Sequence, residues 1–215
     1  MRQAAIFDID RTILKGNTGM IYTWIFLKRG YLNVLDAAKI VYYAFMYKIH
    51  RFDYERGMKS VYSLLAGHRR DEIISIIDEY YDTKVKPKIH EYMKNEINRH
   101  KKAKRVIIFA TNSMQEMVQR LSRELGCDYL LATKAIYKEG RFTGNLQCPC
   151  FGKIKAEKVK ELAHQKDIDL KNSYSYSDHY SDRHMLMLTG YSVCVNPDKK
   201  LKKFAKSRSW KVINI

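Results

Sequence analysis

Residues 3–12 read Gln3-Ala4-Ala5-Ile6-Phe7-Asp8-Ile9-Asp10-Arg11-Thr12. A short apolar run ends in two carboxylates, two residues apart. Such a run reads as a strand buried on both faces, as in a parallel sheet covered by helices. In such sheets the ligand site lies beyond the carboxyl ends of the strands. Two later runs have the same form. Residues 105–110 (RVIIFA) lead into Thr111-Asn112-Ser113, and residues 173–177 lead into Asp178 and Asp182. Three predicted strands thus end in polar groups that can converge.

Around these runs, strands alternate with helical patterns, which argues for a parallel sheet with helices on both faces. A helix is predicted from about 114 to 125, closed by Gly126, a residue suited to helix ends. A short strand at 129–132 is followed by a hairpin over 135–146, turning at Glu139-Gly140. Helices are expected at 154–166, 182–188 and 199–207, and a strand at 192–195. Residues 17–100 read almost wholly helical, as a bundle of about four helices. Asn17 or Thr18 can cap the first of them. Breaks are expected near Gly30, Gly67 and Pro87.

The chain has 215 residues, 46% of them hydrophobic, so disorder is excluded. The size suits one core with an inserted subdomain. The net charge is +17, from 40 Lys and Arg against 23 Asp and Glu. It attracts anions: nucleic acid, anionic lipid or phosphorylated metabolites. The four cysteines (Cys127, Cys148, Cys150 and Cys194) form no regular framework and read as reduced thiols of an intracellular protein. Cys148 and Cys150 have no partners at metal-binding spacing and read as loop thiols. The start of the chain shows no signal peptide, and no run of about 18 apolar residues predicts a transmembrane helix.

Carboxylates two apart at a strand end can address one point. One can act as nucleophile and the other as acid and base, or both can approach a cation. Asp178 and Asp182 can add oxygens, and oxygen ligands suit a hard ion such as Mg²⁺. Taken alone, Asp8 and Asp10 can equally close a turn or cap a helix.

The residues resemble the haloacid dehalogenase superfamily. FDIDRT is similar to its first motif, Thr111-Asn112-Ser113 to its second, Lys155 to its third, and Asp178-His179-Tyr180-Ser181-Asp182 to its fourth. The stretches DYLLATKAIYKEGRFTGNL, CFGKIK, YSYSD and VNPDKKLKKFAKSRSW resemble its phosphoserine-phosphatase-like branch, subfamily IB. The resemblance implies a Rossmann-like three-layer α/β core over 1–15 and 100–215, with a helical cap inserted at 16–99. It also implies a Mg²⁺-dependent phosphomonoester hydrolase acting on a small phosphorylated metabolite. Asp8 would attack phosphorus and form an aspartyl-phosphate. Asp10 would protonate the leaving oxygen and later activate water. Mg²⁺ would sit on Asp8, the Asp10 carbonyl and Asp178, with Asp182 supporting it directly or through another group. Thr111 would donate to a phosphoryl oxygen, and Lys155 would offset negative charge. Arg11, Thr12, Asn112 and Ser113 would contact substrate.

Several assignments have rivals. Ser113 or a shifted register competes with Thr111, and Lys153 and Lys158 compete with Lys155. Arg11, where many members have Gly, can instead make a structural ion pair. His179 and Ser181 replace the small residues and Asn that phosphoserine phosphatases carry in this loop, which weakens the case for phosphoserine. In the cap, aromatic residues (Tyr22, Trp24, Phe26, Tyr42, Tyr43, Phe45, Tyr47) interleave with Lys28, Arg29, Lys48 and Arg51. They read as a bundle core with a solvated rim, or as a surface for anionic membrane. The basic tail (Lys199, Lys200, Lys202, Lys203, Lys206, Arg208, Lys211) fits either. Two alternatives therefore stand beside a cytoplasmic metabolite phosphatase. One is a membrane-associated lipid-phosphate phosphatase; the other is a non-catalytic basic binding protein on the same scaffold. Nucleic acid lacks any recognised binding motif here.

Overall fold

The computed structural model describes residues 1–49, 57 and 60–215, and only the backbone at 47 and 48. Strand β1 (Ala4–Phe7) lies between β2 (Val106–Met114) and β5 (Tyr174–Ser177), both parallel to it. Outside β2 lie the parallel β3 (Tyr129–Lys138) and then the antiparallel edge strand β4 (Arg141–Cys148). Outside β5 lie β6 (Tyr191–Val195) and β7 (Lys211–Ile213), both parallel. The order is β4-β3-β2-β1-β5-β6-β7.

The centre of the sheet goes to the segment that can be covered on both sides. Ala4, Ala5, Ile6 and Phe7 are all fully buried. Phe7 pairs in register with Phe109 and Tyr176, and its ring stacks on Tyr176 at 4.5 Å. Burying a Phe or Ile side chain of this kind contributes about 1.5–3 kcal/mol.

Between β1 and β2 lie α1 (Thr18–Lys28), α2 (Val34–Lys48), α3 (Arg70–Tyr80) and α4 (Glu91–Lys102). Helix α4 packs on the sheet through Met93 and Ile97, beside α5 (Gln115–Glu124), which contributes Val118 and Leu121. The opposite face is covered by α6 (Gly152–Gln165), α7 (Arg183–Leu186) and α8 (Lys199–Ser207), through Ala156, Val159, Met185 and Leu201. The result is the expected three-layer α/β core with helices inserted after the first strand. Among the described residues, no helix is long and apolar enough to cross a membrane.

Some boundaries differ from the sequence reading. The short strand and the hairpin after Gly126 are one structure: β3 runs on to Lys138, and β4 extends the sheet antiparallel. The turn falls where expected, with Glu139 and Gly140 both at positive φ. Strand β2 continues through Thr111-Asn112-Ser113, so the following helix starts at Gln115. The helix expected over 182–188 is a 3₁₀ turn, Tyr180–Asp182, followed by the single turn of α7.

The hairpin reaches the inserted helices. Gly67 N–H donates to Phe142 O (2.8 Å), Phe142 N–H to His68 O (2.9 Å) and Arg70 N–H to Gly140 O (2.8 Å). Gly144, at φ +79°, lets β4 approach Ser63; a Cβ there would lie 3.1 Å from Ser63 Cα. Ion pairs extend this contact: Arg120 to Asp82 (2.6 Å), Lys86 to Glu124 (2.9 Å) and Arg70 to Glu116 (3.3 Å). The aromatic set of the insert divides. Tyr22 and Phe26 are buried, whereas Trp24, Tyr42 and Phe45 are exposed. Arg51 lies outside the described residues, as do the side chains of Tyr47 and Lys48.

Candidate active site

The carboxyl ends of β1, β2 and β5 meet at one point. Asp8 follows β1 directly, and its N–H donates to Tyr176 O on β5 (3.0 Å). The chain then turns tightly, with Ile13 and Leu14 N–H both donating to Ile9 O. Arg11 takes φ +60° in this turn, a region glycine enters at no steric cost. Here the longer side chain brings Arg11 Nε to 3.5 Å from Asp178 Oδ2.

Lys155 rises from the first turn of α6 and is 2% exposed. Its Nζ donates to Asp8 Oδ1 (2.9 Å) and to Asp182 Oδ2 (2.8 Å). Burial alone would push its pKa down. Asp182 and Asp8 together outweigh burial, and the ammonium is held well above its ordinary value. Ser177 Oγ also donates to Asp182 Oδ2 (2.7 Å), while Asp182 Oδ1 is buried without a partner. Asp8 and Asp178 are both raised, first by burial and then by neighbouring carboxylates; Lys155 opposes this at Asp8, and Arg11 most strongly at Asp178.

Asp10 is held from the other side. Thr18 N–H donates to its Oδ1 (2.7 Å), while the Thr18 and Ser113 hydroxyls bond to Oδ2. These two hydroxyls also touch each other (2.7 Å). Burial raises the Asp10 carboxyl, and the bonds from Ser113 and Thr18 pull against it.

Of the residues singled out from sequence, Asp8, Asp10, Arg11, Asn112, Lys155, Asp178 and Asp182 line one cavity of about 30 Å³. Three others sit differently. Thr111 is fully buried, and its Oγ1 accepts Ser113 N–H (3.2 Å). Thr12 is fully buried with its hydroxyl unpartnered. Ser113 bonds Asp10 and lines a neighbouring, larger chamber. Lys158, a rival of Lys155, instead donates to Cys148 O (3.2 Å).

Two contributors were missed from sequence. The sequence offers Asn17 or Thr18 as the helix cap; Asn17 makes that cap, accepting Met20 N–H (3.0 Å), and Thr18 serves Asp10. Asp198 braces the loop after β5. Its N–H donates to Asp178 O (2.9 Å), and its Oδ2 accepts Tyr180 N–H (2.7 Å). Its Oδ1 caps α8 through Lys200 and Leu201 N–H. The signal was present: an Asp just before a basic amphipathic run is an N-cap signature.

Residues 5–187 match the family described as haloacid dehalogenase-like hydrolase, and the chain belongs to that family. It is 31% identical to the Mycobacterium tuberculosis (strain ATCC 25618 / H37Rv) protein named Probable phosphatase Rv3661, over 99% of this chain and 75% of that protein. A crystal structure from Bordetella pertussis Tohama I superposes with a TM-score of 0.89 at 23% identity, covering 99% of this chain and 98% of that one. A substrate-bound phosphoserine phosphatase complex gives 0.76 at 19% identity, covering 99% and 93%. These two structures share the fold. Family and site together make the protein an enzyme, a phosphatase of the haloacid dehalogenase-like class.

Proposed function

We propose that the protein is a Mg²⁺-dependent phosphomonoester hydrolase that works through an aspartyl-phosphate on Asp8. The observation that carries this reading is Lys155 Nζ seated between Asp8 and Asp182 at the edge of a cavity lined by four carboxylates. The cavity residues fit a hard divalent cation. Asp8, Asp10, Asp178 and Asp182 face only Lys155 and Arg11 as cations among the described lining residues, and Asp182 Oδ1 is an orphaned buried oxygen. Asp8, the Asp10 carbonyl, Asp178 and Asp182 would hold Mg²⁺, which when bound offsets the negative charge of nucleophile and phosphate.

The chain's own groups then divide the work. An Asp8 oxygen forms a bond to phosphorus as the bond to the leaving oxygen breaks. Asp10, raised by burial, gives its proton to that oxygen. In the second step Asp10 takes a proton from water. The water oxygen bonds to phosphorus, and the Asp8–phosphorus bond breaks to free phosphate. Lys155 favours the anionic form of Asp8 against burial and orients it. Asn112, which lines the cavity, would supply a donor to the phosphoryl oxygens; Thr111, expected in that role from sequence, is buried beside it with Oγ1 accepting Ser113 N–H. The phosphorylated substrate would enter under the inserted helices, read here as a cap over 16–99. A cytoplasmic location belongs to the same reading, and the four free thiols support it.

The test is phosphate release from p-nitrophenyl phosphate and a panel of phosphomonoesters, with and without chelator, using Asp8→Asn as control. Turnover should disappear in Asp8→Asn and in chelator. Mg²⁺ should also raise the melting temperature of the wild type, and do so less in Asp178→Asn. Full turnover by Asp8→Asn would overturn the assignment.

A further inference from the structure

Beside the cavity at the carboxylates lies a second space of about 280 Å³ under the inserted helices. Arg11, Asn17 and Asn112 line both, so the two adjoin across these three residues. The chamber wall is dominated by Met20, Phe26, Leu32, Ile40, Val61 and Leu65. Its polar groups are largely engaged within the protein. Asn17 caps α1, Thr23 Oγ1 donates to Gly19 O (2.7 Å), Tyr62 OH to Asn112 O (3.4 Å), and Ser113 bonds Asp10. Among the described residues lining it, Arg11 is the one charged side chain, and it leans on Asp178.

We infer that the substrate is the phosphate monoester of an uncharged, largely apolar alcohol, whose carbon chain or ring fills this chamber while its phosphate sits at Asp8. This rests on the phosphatase reading above and narrows its substrate. An amino-acid phosphate would bring an ammonium to a wall where no described residue is a carboxylate. Its carboxylate would compete with Asp178 for Arg11. Burying either charge without a partner is unfavourable, whereas each methylene moved from water to the chamber is favourable. A soluble alkyl phosphate and a lipid phosphate standing in a bilayer share this chemistry.

The test uses wild-type protein with Mg²⁺ and the n-alkyl phosphates from methyl to hexyl, with O-phosphoserine beside them. In parallel, calorimetry measures binding of the matching n-alkyl phosphonates, which are not hydrolysed. Both kcat/KM and phosphonate affinity should rise roughly fourfold per added methylene, equivalent to about 0.8 kcal/mol, until the chamber is full. Phosphonate binding should show a negative heat-capacity change that grows with chain length. Ala44 lines the chamber and is exposed, so Ala44→Glu can be made without opening the core. It should lower the hexyl-to-methyl ratio of kcat/KM at least tenfold. A flat or falling chain-length profile, or phosphoserine as the best ester, would overturn the inference and leave the phosphatase reading standing. Phosphonate affinity that rises with length, without turnover of any ester, would support the chamber and sink the phosphatase reading. Lysophosphatidate offered as monomer or in phosphatidylcholine vesicles then separates the two sources: faster turnover in vesicles assigns the bilayer, and faster turnover of monomer assigns a soluble ester.

Discussion

Lys155→Met removes the one buried ammonium at the candidate site and leaves a side chain of similar length. Its Nζ lies 2.9 Å from Asp8 and 2.8 Å from Asp182. At an effective dielectric of 20 each attraction is about 6 kcal/mol. Desolvation of the lysine cancels much of that sum. What remains on breaking such a buried arrangement is about 3–5 kcal/mol, because two carboxylates stay behind uncompensated. For a chain of this size each kcal/mol moves the melting temperature by roughly 2–4 °C, so a fall of roughly 6–20 °C is expected. The assay is thermal unfolding at pH 7 in chelator, for Lys155→Met, Asp182→Asn and the double variant. Asp182→Asn takes away one of the stranded charges, so the double variant should melt higher than the sum of the single losses predicts, by a coupling of about 1 kcal/mol or more. Turnover in Lys155→Met should fall about 100-fold or more, the scale of losing one stabilising donor at a reacting centre. A single variant melting within about 2 °C of the wild type, or strictly additive losses, would refute the charge balance drawn around Lys155.

Three further outcomes are expected. Asp198→Ala removes the cap of α8 and the acceptor for Tyr180 N–H; it should cost about 1–2 kcal/mol in urea unfolding and also lower kcat, and an unchanged kcat would mean that the loop after β5 stands without it. His100 is fully buried against Tyr176 OH (2.8 Å), and burial, with Arg99 and Arg105, pushes its pKa down to about 4. Neutral when folded and ionising near 6.5 when unfolded, it contributes stability that is complete above pH 6.5 and drains as pH falls toward 4, about 2 kcal/mol by pH 5. Urea midpoints at pH 7 and pH 5 should therefore converge in His100→Gln relative to wild type. Gly190 admits no side chain, because a Cβ would lie 1.9 Å from Lys171 O; Gly190→Ala must move the backbone that leads into β6, and a loss of about 1–3 kcal/mol is expected by calorimetry.

The core was legible because its signals are local. Ala4–Phe7 is apolar at every position, so it belongs in the middle of a covered sheet, and Asp8 must then fall at the strand's carboxyl end. Asp182 could be picked out by its spacing from Asp178, and Lys155 by the family resemblance, but the bond between them is a fact of packing: α6 lies against the loop after β5. The sequence pattern divides strand β3 in two because polar Thr133 and Lys134 interrupt its apolar run. In the fold, β4 pairs across that gap.

What the sequence determined by itself was the alternation of strands and helices, the strand ends that carry carboxylates, and the charge. Those depend on residues close together in the chain, where periodicity and turn chemistry act. Only the tertiary structure decided that Thr18 and Ser113, 95 residues apart, would hold Asp10 together, and that Asp198 would brace the loop of Asp178. It also decided that Met20, Ile40 and Leu65 would wall one chamber adjoining the carboxylate cavity. Each apolar residue of the insert carries the same drive to leave water. Which of them meet, and what empty volume they leave beside Asp8, is settled by how the helices pack against β2 and the hairpin.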